Sequence, residues 1–189
     1  MRVLLVTAHP RPGSLTAAVA AAFAEAAAAN GHVIETADLM AEGFDPALRE
    51  DDEPDWTNPA KTYSPAVRAE MARILRNEAT VMIWPVWWWS LPAVLKGWID
   101  RVWNNGWAYG DDGARYPHDH VWSIGLAGGD RATYLRRGYD KAIEVQVETG
   151  ILRYCKVPQP RQVLIYGTLD GDDARAAALA TARQLGSEL

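Results

Sequence analysis

Residues 2–10 read "RVLLVTAHP", an apolar run too continuous to alternate between core and solvent, closed by His9-Pro10. Such a run fits a strand covered on both faces, as strands of a parallel sheet are. Residues 13–31, "GSLTAAVAAAFAEAAAANG", follow with an Ala-rich helical body, Ser14 or Thr16 as N-cap and Gly31 as the stop. The same strand-then-helix alternation continues outward from this unit. "HVIETADL" (32–39) is read as strand two, "SPAVRAEMARILRNEA" (64–79) as a helix and "TVMIW" (80–84) as strand three. "HVWSIGLAGG" (120–129) is strand four, "YLRRGYDKAIEVQVETGILRYC" (134–155) mostly helical, "RQVLIYG" (161–167) strand five and "GDDARAAALATARQLGSEL" (171–189) a closing helix. Five alternations imply right-handed crossovers and an α/β domain spanning 1–189, with a five-stranded parallel sheet in order 2-1-3-4-5 and helices on both faces.

Between these elements lie two less regular stretches. The segment from Met40 to about Pro65 holds prolines 46, 54, 59 and 65 and the acidic run Glu50 to Asp55, and is read as an irregular excursion whose acids are solvated or wrap a second subunit. "NNGWAYGDDGARYPHD" (104–119) is turn-rich and expected to hold a small hairpin or bulged loop. Between strand three and that loop, Leu91, Val94, Leu95, Trp98, Ile99 and Val102 recur at helical spacing, with Ser90 as N-cap and Pro92 in the first turn.

Composition excludes several classes. Charged residues make up 23% of the 189, and the formal net charge is -5, which argues against a nucleic-acid surface. "VLLVTA" is too short to span a bilayer and leads into no cleavage signal, so the chain is expected to be soluble, unprocessed and not inserted in a membrane. Its single cysteine, Cys155, excludes an internal disulfide framework and fits a reducing cytoplasm; it is expected to be a packed thiol. His118-Asp119-His120 is read as a solvated loop, and no metal site is expected. No G-x-G-x-x-G, G-x-x-x-x-G-K-S/T or G-x-S-x-G motif appears, which removes the usual dinucleotide, nucleotide-hydrolysing and serine-hydrolase signatures.

With that strand order a ligand sits beyond the carboxyl ends of strands one and three, at "HPRPGSLT" (9–16) and "WPVWWWSL" (84–91). Ser14, Thr16 and the amides around them either receive a phosphate or only cap the helix. Seven of the nine tryptophans fall between residues 84 and 107. Trp84 and Trp98 are read as core. Trp87, Trp88 and Trp89 cannot all point inward, and an uncovered aromatic buries about 150 to 250 Å² when covered, so at least one should face a flat aromatic ligand or another subunit. "GLAGGDRATY" (125–134) adds Gly128 and Gly129 at the same end of the sheet, which permit close backbone approach and unusual dihedrals and leave amides to donate to a ligand edge.

Together, "TAHP", "WPVWWWSLPAVLKGWIDRVW", "GWAYG", "LAGG" with its following Tyr134, and "GILRYC" resemble the flavodoxin-like NAD(P)H:quinone oxidoreductase family, which includes ancillary proteins of potassium efflux systems. The pattern P-x-x-W-aromatic-x-x-P-A-x-L-K-G-W carries most of the likeness. The resemblance implies a flavodoxin-like three-layer sandwich, a bound flavin, and ping-pong hydride transfer from NAD(P)H through flavin N5 to a quinone or related aromatic acceptor. It implies that His9, Ser14, Leu15 and Thr16 hold the phosphate-bearing tail and that Pro85, Val86, Trp87, Trp88 and Trp89 lie along the ring. Ala127, Gly128, Gly129 and Tyr134 would hold the pyrimidine edge, with Tyr134 as the catalytic donor. Trp88, Gly129 and Tyr109 would meet the substrate, Tyr109 across a homodimer interface. The long excursion resembles the FAD-binding members more than the FMN-binding ones. Two departures stand out: Leu126 and Ala127 replace the family's usual threonines, and Gly138, Tyr139 and Asp140 stand where a histidine partner of the tyrosine is usual, so a Tyr-His relay is not expected. Alternative readings are a flavin-bound ancillary subunit of a potassium efflux transporter and an oxidoreductase devoted to one aromatic metabolite.

Overall fold

Alternate residues of each central strand face opposite helix layers, because strand side chains repeat every second residue. In the computed structural model, which describes every residue except Pro59 and Asp112, β1 (Arg2–Thr7) sends Val3 and Leu5 to one side and Leu4 and Val6 to the other. Those two positions of the excursion and the turn-rich segment therefore lie outside the described residues. The remaining strands are β2 (Val33–Asp38), β3 (Ala79–Pro85), β4 (His120–Leu126) and β5 (Gln159–Ile165), all parallel, in the order β2-β1-β3-β4-β5. This is the expected doubly wound sheet. β5 starts earlier than the sequence pattern indicates and includes Pro160, which an edge strand tolerates.

On one face, α1 (Leu15–Ala29) and α6 (Asp172–Glu188) cover Val3, Leu5, Val81 and Ile83 with Phe23 and Leu185. The other face carries α2 (Pro65–Leu75), α3 (Ala93–Val102) and the stretch after β4, whose Trp98, Ile143 and Leu152 share a core with Leu4, Val6, Met82 and Trp84. Trp84 and Trp98 are core, as expected, and their indole N–H groups are satisfied by Ser123 Oγ at 2.9 Å and Glu70 Oε2 at 2.8 Å. All six apolar residues of the α3 face are buried. No helix among the described residues is long and apolar enough to cross a membrane.

The stretch 134–155 is mostly helical, as expected, in three pieces: α4 (Arg131–Arg137), α5 (Tyr139–Ile143) and a π-helix over Glu144–Arg153, with Gly138 at φ 73° closing α4 in the left-handed conformation. Nothing in the sequence marks the widened π turns. The described residues of segment 104–119 are turn-rich, as expected, with an isolated parallel bridge between Asn105 and Tyr109 and no hairpin among them. The acidic run is only partly solvated: Asp52, in a 3-10 turn over Glu50–Asp52, is 1% exposed and bonded to Arg101 Nη2 at 2.8 Å. A fully paired carboxylate is the form in which a buried charge is tolerated.

Edge strand β2 is tied to α2 by Glu35, whose carboxylate accepts from Arg73 Nε (3.1 Å), Arg76 Nε (2.9 Å) and Asn77 Nδ2 (2.9 Å). The Arg76 bond, against the opposing effect of burial, holds its pKa down to about 2 from an ordinary 4.5. A depressed folded-state value adds stability above the unfolded pKa, lost as pH falls through the window from about 4.5 to 2. Glu35→Gln is therefore expected to cost about 1 kcal/mol at pH 7, discounted for partial solvent exposure, and close to nothing at pH 2.5. Urea midpoints of both proteins at the two pH values check this; an equal gap at both would contradict it.

Candidate functional site at the carboxyl end of the sheet

The loops leaving β1, β3, β4 and β5 meet at one end of the sheet, where parallel α/β sheets take ligands. After β1, His9 Nδ1 accepts from the Arg11 amide at 3.0 Å, so the ring proton is on Nε2. Partial burial and the Arg11 charge push the His9 pKa below 6.5, leaving the imidazole neutral at pH 7. Ser14 settles the open choice of N-cap: its hydroxyl accepts from the Ala17 amide at 3.1 Å. The amides of Leu15 and Thr16, in the first turn of α1, have no intrahelical partner.

After β3, Val86 donates to the Leu126 carbonyl at 2.8 Å, prolonging the β3–β4 pairing by one residue. The chain then reverses. Trp87 and Ser90 exchange two backbone hydrogen bonds, at 3.2 and 3.1 Å, and the residues between them, Trp88 and Trp89, both have positive φ (51° and 54°). Reciprocal bonds around two left-handed residues define a type I′ turn, a conformation that favours Asn-Gly and disfavours bulky side chains by about 1–2 kcal/mol per residue. Two tryptophans in those positions are strain held in place by the surrounding fold. The turn leaves Trp88 87% exposed, with Trp87 and Trp89 at 44% and 41%. Trp89 stacks on Tyr139 with ring centroids 4.3 Å apart, and Trp87 lies 5.7 Å from the His9 ring. Ser90 does not cap α3, which begins from Pro92 without a side-chain cap; its hydroxyl donates instead to Gln146 Oε1 at 2.9 Å.

The loops after β4 and β5 zip together. Ala127 N donates to Ile165 O (2.7 Å), Thr168 N to Ala127 O (3.1 Å) and Gly167 N to Gly129 O (2.9 Å). Among the described residues no hydrogen bond engages the amides of Gly128 and Gly129. Neither glycine uses the positive φ that its missing side chain would permit. What they provide is space: a Cβ on Gly128 would lie 2.8 Å from Leu169 Cδ1, and one on Gly129 3.4 Å from the Tyr134 ring. Tyr134 is buried, and burial together with Tyr166 and Tyr139 raises its pKa, so the phenol remains a proton donor.

The result is one groove in two parts. A cavity of about 230 Å³ is bounded by His9, Arg11, Thr16, Pro85 and Trp87 with Leu15 beneath; its neighbour, about 500 Å³, is bounded by Trp88, Trp89, Gly129, Tyr134 and Tyr139. Val86, Gly128 and Leu169 line both. The first part offers a basic side chain, an imidazole and free helix amides, which suit a phosphate; the second offers aromatic walls with two amides and a phenol at one edge, which suit a flat ring with hydrogen-bonding edges. Arg11, from the β1 loop itself, also lines it, and the β5 loop's zipping brings in Thr168 and Leu169 while the break at Gly138 brings in Tyr139. Ser14 and Ala127 support the groove from behind rather than line it. Tyr109 does not reach it: α3 carries the chain to the other end of the sheet, where Tyr109 lines a cavity of about 690 Å³ with Trp56 and Tyr154. The remaining candidates are inert. His118 is buried with its Nδ1 2.8 Å from Thr80 Oγ1 and its Nε2 2.9 Å from the Ile74 carbonyl, so it is packed rather than solvated. Burial pushes the Cys155 thiol up to about 12, and no group of three or more metal-ligating side chains occurs among the described residues.

The family described as flavodoxin-like fold matches residues 1–188. The chain belongs to that family. Among its curated relatives, the uncharacterized NAD(P)H oxidoreductase YcaK of Escherichia coli strain K12 is 44% identical over 142 residues, 75% of this chain and 72% of that one. The NAD(P)H dehydrogenase (quinone) 1 of Rattus norvegicus is 29% identical across 94% of this chain and 73% of its own. A solved structure of an NAD(P)H:quinone oxidoreductase from Methanothermobacter marburgensis superposes with TM-score 0.93 at 29% identity, covering 100% of this chain and 96% of that one. The family's fold and these names agree with the resemblance seen in the sequence, and the chain is a member of this group of oxidoreductases.

Proposed function

We propose that the groove holds a flavin and that the chain is a flavin-dependent NAD(P)H oxidoreductase acting on a quinone or related aromatic acceptor. The observation that carries this reading is the strained Trp88-Trp89 turn, which holds indoles in solvent opposite the free amides of Gly128 and Gly129. A bound flavin would supply two-electron chemistry between NAD(P)H and the quinone, whose conversion to hydroquinone takes up a hydride equivalent and one proton. His9, Arg11 and the first-turn amides of α1 hold the phosphate. The indoles and Val86 wall the ring and exclude water from one face. The amides of Gly128 and Gly129 and the Tyr134 hydroxyl are the donors that would meet the ring's polar edge and offset negative charge there. With no histidine beside it, Tyr134 acts as a fixed donor and the proton taken up by the acceptor comes from solvent.

Titrating the purified protein with FMN and with FAD, then adding NADH or NADPH and menadione, tests the reading. Flavin binding with menadione-dependent oxidation of one nicotinamide is expected; no retained flavin, or no oxidation, would reject it. The patch of Trp56 (68% exposed), Tyr154 (58%) and Leu48 (45%) beside Tyr109 is assigned to a second copy of the chain, because Tyr109 can reach a groove only from a neighbouring protomer. Sedimentation is expected to show a dimer that Trp56→Ser weakens; a wild-type monomer at micromolar concentration would rule it out.

A further inference from the structure

The outer end of the groove carries charge of one sign. Arg136 and Arg137 line the larger cavity beside Trp88, Trp89 and Tyr139, and no carboxylate lines it. Arg136 donates to Thr133 Oγ1 at 3.3 Å, and neither guanidinium has an ion-pair partner among the described residues. Two neighbouring acids are engaged elsewhere, Asp130 accepting from the amide and hydroxyl of Thr133 at 2.8 and 2.9 Å and Glu144 pairing with Lys141 at 2.9 Å, while Asp140 does not line the cavity. Basic residues in a last helical turn commonly do no more than offset the helix dipole. Here, however, they stand at the rim of an aromatic cavity that has no counter-charge.

We propose that Arg136 and Arg137 form an anion subsite that selects ligands pairing an aromatic ring with an acidic group. The ring lies on the Trp88, Trp89 and Tyr139 surface while the guanidinium forks take phosphate, carboxylate or sulfonate oxygens, the geometry for which arginine is better suited than lysine. This deepens the oxidoreductase reading and rests on it. Two ligands carry the chemistry: the 2′-phosphate of NADPH and an acid substituent on the acceptor.

The flavin-loaded protein and its R136Q/R137Q variant, with matched urea midpoints, are compared in two pairs of substrates: NADPH against NADH, and 1,2-naphthoquinone-4-sulfonate against menadione. The variant is expected to lower the anionic-to-neutral ratio of kcat/KM by about tenfold or more in one pair, and the pair affected names the source of the anion. Equal losses within both pairs, or none, would overturn the subsite. A readout independent of turnover is tryptophan quenching in flavin-free protein: 1-naphthalenesulfonate should bind more weakly to the variant than to wild type by a similar factor, and 1-naphthol should not show that preference. If wild type reduces no acceptor while sulfonate binding still depends on the two arginines, the oxidoreductase reading falls and the subsite stands.

Discussion

Replacing Trp88-Trp89 by Asn-Gly is expected to stabilise the fold while lowering flavin affinity about a hundredfold. Both residues occupy left-handed positions of a type I′ turn, at φ 51° and 54°. Asn and Gly adopt that conformation at little cost, so relief of about 1–2 kcal/mol at each position is available. Against it stands the lost Trp89–Tyr139 stack, worth about 1 kcal/mol, and the packing of the half-covered Trp89. Trp88, 87% exposed, takes almost no packing with it. The net gain is about 1 kcal/mol. Each indole lost from a ligand wall removes about 1.4 kcal/mol of binding, a factor of about ten apiece. Opposite signs for stability and binding are what a strained functional element predicts and a structural one does not. Urea denaturation and flavin fluorescence titration on the same preparations read both; a variant that is less stable and binds flavin as well as wild type would remove the turn from the site.

The turn also marks where the sequence stops being legible. Strand and helix positions follow from patterns carried by neighbouring residues, so the order β2-β1-β3-β4-β5, the apolar face of α3 and the core roles of Trp84 and Trp98 could be read directly. Backbone conformation at a site is set by tertiary bonds. Gly128-Gly129 permit left-handed backbone, yet the loop from β5 pairs with Ala127 and Gly129 and neither glycine has positive φ, while the left-handed residues at the groove are tryptophans. Ser90 has the chemistry of an N-cap but is drawn off by Gln146, 56 residues away. Arg11 and Leu15 belong to the loop after β1, whereas Thr168 and Leu169 reach the groove only because β5 closes the sheet beside β4. The acidic run around Asp52 read as solvated because its partner, Arg101, lies 49 positions along the chain.

That buried pair gives the second large effect. Asp52→Ala is expected to destabilise the protein by about 3–5 kcal/mol, a large fraction of the 5–15 kcal/mol typical of a domain, because it strands the Arg101 guanidinium at a site only 7% exposed. Asp52 also accepts from the Ser64 amide and hydroxyl, at 2.8 and 3.0 Å, and so fixes the start of α2. Burial raises its carboxyl pKa, but the bonds from Arg101 and Ser64 outweigh burial and hold it below 3.8; the pair's contribution is present at neutral pH and disappears as pH falls below the ordinary carboxylate range. Arg101 donates as well to the Asp45 carbonyl, and Pro46 packs so closely on α3 that a Cβ on Gly97 would sit 2.3 Å from its oxygen. The excursion is thus strapped across α3, the helix that begins three residues after the tryptophan turn. D52A/R101M removes both charges and is expected to recover most of the lost stability, since an apolar replacement for a buried ion pair is close to neutral. Groove function should recover with it, because α3 is again packed on both sides. A double variant no more stable than Asp52→Ala would show that the strap acts through Asp52's bonds to Ser64 and not through the paired charge.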